Sequence, residues 1–158
     1  MRIKKLTIEL TIALLVIMFL HTAISKFIDF KGFTYDLDNQ PFPNRFTPVL
    51  AWSLPLAEIA IVLCLCFEKT RLFGLHASLF LMIVFTIYTA MVLVHVFEYV
   101  PCSCGGVVSY LSWHQHLIFN LFFVAITYLA ILFNGEIKHH NYYIASGSPH
   151  QKNILGRE

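Results

Sequence analysis

The sequence predicts an all-α integral membrane protein, an up-down bundle of four transmembrane helices with both termini cytoplasmic. Three observations lead there. The composition is 58% hydrophobic and only 13% charged, with 15 Phe among 158 residues. A soluble domain of this size exposes too much surface to hide so apolar a chain, so the lipid bilayer is its natural solvent. Four apolar segments each approach the roughly 20 residues that cross a hydrocarbon core about 30 Å thick. The basic residues, finally, are unevenly placed between the connecting segments.

The first segment runs from about Leu6 to Ser25, with Glu9 near its start. Met1-Arg2-Ile3-Lys4-Lys5 before it and Ala23-Ile24-Ser25 at its end also have the outline of a cleavable signal. Its length, Glu9 and His21 argue for a retained span, and cleavage would leave three spans. Next, Lys26 to Thr47 forms a longer outer loop in which Phe27, Phe30 and Phe33 recur every three residues. That spacing suits a short amphipathic helix lying at the interface, with anchoring as its simplest role. Pro41, Pro43 and Pro48 then break any helix and lead into the second span, about Val49 to Phe67. The third, Leu72 to Phe97, and the fourth, about His114 to Phe133, contain no charged residue. With no water in the bilayer to satisfy backbone groups, all four must be helical. Residues 1–135 thus form the membrane domain, and 136–158 a polar, mobile cytoplasmic tail.

Orientation follows from Lys and Arg. With the N-terminus inside, the inner segments hold Arg2, Lys4, Lys5, Lys69, Arg71, Lys138, Lys152 and Arg157, against Lys26, Lys31 and Arg45 outside. Eight against three favours both termini in the cytoplasm. The loop from Glu98 to Trp113 has no basic residue and falls outside, which in a bacterial inner membrane is the oxidising side. Net charge is only +2 and the basic residues form no stripe, so the chain lacks the footprint of a nucleic-acid binder.

That outer loop carries Pro101-Cys102-Ser103-Cys104-Gly105-Gly106. Two cysteines at i and i+2 can be bridged in a turn, and a small strained disulfide is exchangeable rather than structural. Cys102 and Cys104 are therefore a candidate redox pair, beside the plainer reading of a static loop brace. A rival set is Cys102, Cys104, His114 and His116, whose two soft and two imidazole ligands suit zinc or copper. His95 and His21 lie near the same face and would either join that set or raise the thiolate fraction of the cysteines. Cys64 and Cys66 sit on the second span, where residues two apart point about 200° from each other and cannot bridge.

Glu58 stands about nine residues into the second span, and a carboxyl at that depth is a functional candidate by default. Thr86, Tyr88 and Thr127 fall at similar depth and are its candidate hydrogen-bond partners. Proton handling, contact with a quinone and a buried structural hydrogen bond are the competing roles. No other cofactor is suggested.

Leu54-Pro55-Leu56-Ala57-Glu58, Phe85-Thr86-Ile87-Tyr88, Ser25-Lys26-Phe27 after the first span and the Cys102-Ser103-Cys104-Gly105-Gly106 loop together resemble the MauE/DoxX family of redox-associated membrane proteins. The resemblance covers about residues 5 to 135, and the Cys-x-Cys loop is its most specific element. Ser103 and Gly105 depart from the Cys-Gly-Cys-Phe-Gly form of many members, which leaves the sulfurs in place and alters the turn. The resemblance implies thiol–disulfide exchange outside the cytoplasm, with a thioredoxin-like or disulfide-containing protein as partner. Its methylamine-utilisation branch is thought to help mature the disulfide-rich small subunit of methylamine dehydrogenase, while the DoxX branch is associated with quinone-linked oxidation.

Overall fold

The computed structural model describes residues 2–41, 43–94, 96 and 112–145, with side chains of the last helix described as far as residue 137. Among the described residues, five α-helices follow in order: α1 Arg2–Ile28, α2 Phe30–Asp38, α3 Thr47–Cys66, α4 Arg71–Leu93 and α5 Trp113–Ala145. A short 3₁₀ turn, Asn44–Phe46, leads into α3. Four of the helices, all but α2, are long and apolar enough to cross a membrane.

These four helices close a ring. α1 packs on α3 and α5, and α4 packs on the same two, so each helix has two neighbours. The seam between them is filled by Leu15 and Phe19 of α1, Leu65 of α3, Leu75 and Met82 of α4, and Phe123 of α5. The outward faces remain apolar: Ile17, Leu56, Phe80, Ile87 and Ile118 are all exposed. A helix apolar on every face has no aqueous side, and lipid is the environment that accepts it.

One end of the ring is tied by charge. Lys4 pairs with Glu136, and Arg71 reaches Glu9 at 2.8 Å, so the first turns of α1 meet the start of α4 and the late part of α5. The tight turn between α3 and α4 lies between these elements, and Thr70 closes it by donating to the Cys64 carbonyl at 2.9 Å. That hydroxyl satisfies one of the carbonyls a helix leaves open at its C-terminus. Here Gly74 lets α4 approach α3 closely, because a Cβ at this position would stand 3.0 Å from the Leu65 backbone nitrogen.

At the opposite end, α4 stops earlier than hydropathy predicts. The span expected to reach Phe97 ends as a helix at Leu93, where the Val96 N–H turns back to the Met91 carbonyl at 3.1 Å. That six-to-one closure terminates helices by satisfying a late carbonyl. α5 begins with a capping box: Gln115 Oε1 accepts from the Ser112 N–H at 3.0 Å, and Ser112 Oγ accepts from the Gln115 N–H at 3.4 Å. The helix then runs on to Ala145, so the boundary at 135 drawn from composition falls inside it.

The segment after α1 is the short amphipathic helix that its Phe spacing suggested. Asp29 caps it by accepting from the Gly32 N–H at 3.0 Å. Its apolar side is turned into the protein: Phe33 and Leu37 are buried against Ala51 of α3. α2 therefore lies over the end of the ring as a packed lid. Pro48 occupies the first turn of α3, where a missing N–H costs nothing.

Candidate functional site

Beneath α2 lies a cavity of about 270 Å³ lined by residues from all five helices. Its walls are mainly aliphatic and aromatic, with Phe19, Leu54, Met82, Phe85 and Phe119 prominent. Seven polar side chains interrupt them: Thr22, Lys26, Gln40, Glu58, Tyr88, His116 and Asn120. Few polar groups set in an apolar hollow is the usual composition of a small-molecule site.

Lys26 and Glu58 form the centre of the polar group. Lys26 Nζ lies 2.5 Å from Glu58 Oε1, with the two side chains only 4% and 2% exposed. The ammonium also stands over the Phe33 ring, 5.7 Å from its centroid. Local sequence explains how they meet. α1 continues three residues beyond the expected end of the first span, which places Lys26 on a buried helical face instead of in a loop. On α3, Glu58 follows Pro55 by three residues and so shares its inward face, and both are buried. Pro55 has no N–H to offer, so the Ala51 carbonyl loses its usual helical partner.

Other members tie the lid to the ring. Tyr88 of α4 donates to Gln40 Oε1, and Gln40 Nε2 donates to the Asp36 carbonyl at 2.8 Å. Asn120 Nδ2 of α5 donates to Thr89 Oγ1 at 3.4 Å. His116 is buried and packs beside Trp113, ring centroids 6.3 Å apart.

Several residues singled out in the sequence fall differently from their expected places. Lys26, counted among outer-loop charges, is instead the buried partner of Glu58. The hydroxyls matched to Glu58 by depth bond elsewhere: Thr86 to the Met82 carbonyl at 2.6 Å, and Tyr88 to Gln40. Thr127 is fully buried and its hydroxyl has no partner. Depth counting failed here because it fixes height along a helix but not the facing direction. The signal that could have found Lys26 was the helical register of α1, in which it lies on the same stripe as Leu15, Phe19 and Ala23.

His114 and His116 diverge, as residues two apart on a helix must; the first is exposed and the second lines the cavity. His21 is exposed on α1, and Cys64 and Cys66 are free thiols. Among the described residues no group of three His, Cys, Asp or Glu side chains could hold a metal ion. Cys102, Cys104 and His95 lie outside the described residues.

The apolar outer faces, four spanning helices and an internal ion pair together define a multi-pass helical membrane protein. The chain belongs to the family of the methylamine utilisation protein MauE, whose family model matches residues 4–133. That match takes in all of α2, α3 and α4, α1 from Lys4 onward and α5 as far as Phe133. No curated protein and no solved structure matches the chain.

Proposed function

We propose that the protein is a thiol–disulfide exchange factor of the bacterial inner membrane, with Cys102 and Cys104 as its redox pair on the outer face. The observation that carries this is the position of the pair in the chain. Both cysteines belong to the link between α4 and α5, and Tyr88 in the last part of α4 and Trp113 at the start of α5 line the cavity. The basic residues favour the same orientation.

The chemistry is exchange through a mixed disulfide. A client thiolate attacks one sulfur of the Cys102–Cys104 disulfide, forming a new S–S bond and displacing the other cysteine as a thiolate. A second client thiolate then attacks the client sulfur of that mixed bond and releases the pair as a dithiol. The client loses two electrons and two protons, and the cysteine pair gains them. Family membership points to an extracytoplasmic protein rich in disulfides as the client, of the methylamine dehydrogenase maturation type.

The test is alkylation of intact cells with a membrane-impermeant thiol reagent, before and after reduction. Labelling of Cys102 and Cys104 only after reduction is the expected outcome. A pair that is reduced and unlabelled in every condition would sink the proposal. Cys102→Ser and Cys104→Ser should each trap a mixed disulfide, visible as a larger species lost on reduction, and that species names the client.

A further inference from the structure

α3 and α4 touch at the turn that joins them and part further along. At Gly74 the two backbones come together. Phe85 and Tyr88 lie about three and four turns further on the same face of α4, and there that face lines the cavity beneath α2. Val84 beside them lines the cavity too and is 44% exposed on the outside of the ring. The hollow therefore opens sideways between α3 and α4, toward the medium that surrounds four spanning helices. Only the hydrogen bond from Tyr88 to Gln40, just past the end of α2, is seen to bridge the gap at this level among the described residues.

The polar side chains of the cavity are engaged with one another. Glu58 is held by Lys26 and by the Thr22 hydroxyl. Gln40 is joined to Tyr88, Asn120 to Thr89, and His116 lies against Trp113 and is likewise engaged. A polar ligand would have to break one of these arrangements, and a buried group that loses its partner is costly. What the cavity leaves open is its apolar wall. Atoms lining an empty apolar space forgo dispersion contacts, and such a space takes up an apolar molecule in preference to water. Met18 and Met82 are flexible enough to shape themselves to an aliphatic chain. Of the apolar molecules that reach an opening in the side of a membrane protein, acyl chains are the most concentrated, and occupancy follows concentration.

We infer that one acyl chain of a bilayer phospholipid enters between α3 and α4, fills this cavity and forms part of the surface on which α2 packs. Phe33 and Leu37, the buried side chains of α2, both line the cavity, so the chain meets the lid from below. The lipid is a structural ligand here, and Cys102 and Cys104 take no part in holding it.

The experiment places the full chain in nanodiscs of palmitoyl-oleoyl phosphatidylcholine, strips it into detergent and counts the lipids still bound by native mass spectrometry. One phospholipid per chain should survive stripping. Leu54→Trp fills the hollow and should lower that retention at least about tenfold, since several buried methylenes are lost from the contact. Val84→Trp blocks the mouth from an exposed position, should do the same, and keeps the test decisive if Leu54→Trp does not fold. Leu56→Trp, on the exposed face of the same helix as Leu54, should leave retention unchanged. Prolonged delipidation of the wild-type chain should speed hydrogen exchange in α2 at least about tenfold, with the Phe123 and Ala130 region of α5 protected as before. No retained phospholipid would overturn the inference. So would equal losses in Leu54→Trp and Leu56→Trp, as expected of lipid held on the outer surface, or α2 exchange that is indifferent to delipidation. A retained mass other than a phospholipid, in protein taken directly from cell membranes, would overturn it as well.

Discussion

Lys26, in the last turn of α1, and Glu58, near the middle of α3, form a buried ion pair with Nζ and Oε1 2.5 Å apart. The pair joins two neighbouring helices of the ring at the wall of the cavity. Its energetic asymmetry is the basis of the first prediction. Removing both charges together can be nearly neutral, whereas removing one strands the other in an apolar interior. Lys26→Met and Glu58→Leu should each destabilise the bundle by about 3–5 kcal/mol. The double substitution Lys26→Met with Glu58→Leu should recover most of that loss. Thermal unfolding of the four proteins in one detergent, read as a double-mutant cycle, measures the coupling. Equal and additive losses would mean that the two side chains do not depend on each other.

The history of this pair also marks what sequence can and cannot disclose. Four spans were legible because about 20 apolar residues in a row have few other uses. The short helix after α1 was legible from three Phe at regular spacing, yet its role was not. A lone amphipathic helix of nine residues is compatible with an interface or with another protein surface, and Ala51 of α3 decides for the second. Glu58 was visible as a costly carboxyl, but its partner was not. Lys26 lies 32 residues away, at the end of a span whose extent hydropathy underestimates, since Lys and the residues after it lower the average. The cavity was wholly hidden, because it is assembled from all five helices and no one segment carries its outline.

A second prediction concerns the close approach of α3 and α4. A Cβ on Gly74 would meet the Leu65 nitrogen at 3.0 Å and the Cys64 carbonyl carbon at 3.1 Å, both backbone atoms that cannot rotate aside. Gly74→Ala should force the helices apart at the turn and lower stability by about 1–3 kcal/mol, as overpacking does. Gly74→Val adds two methyls to the same contact and should cost more. Gly135, with nothing within 4 Å of its Cβ position, is the internal control. Gly135→Ala should hold or raise stability, since Ala favours helix by about 1 kcal/mol over Gly. Melting temperatures of the three variants, measured side by side, test the contrast.

The last prediction lies where the cysteine-bearing link rejoins the bundle. Ser112 and Gln115 satisfy each other's backbone N–H groups at the start of α5, so each side chain's contribution depends on the helix being capped by the other. Ser112→Ala should cost about 1 kcal/mol of stability. Gln115→Ala removes the reciprocal bond and should cost less, because the Ser112 cap still holds the first turn. The two losses should not add, since both report on the same frayed turn. Backbone hydrogen exchange gives the more specific readout. Faster exchange confined to the first turn of α5 is expected, with the Phe123 and Ala130 region protected as before, because those residues are held by the core and not by the cap. Exchange that rises evenly along α5 would show instead that this end of the bundle depends on Ser112 and Gln115 for more than the start of a helix.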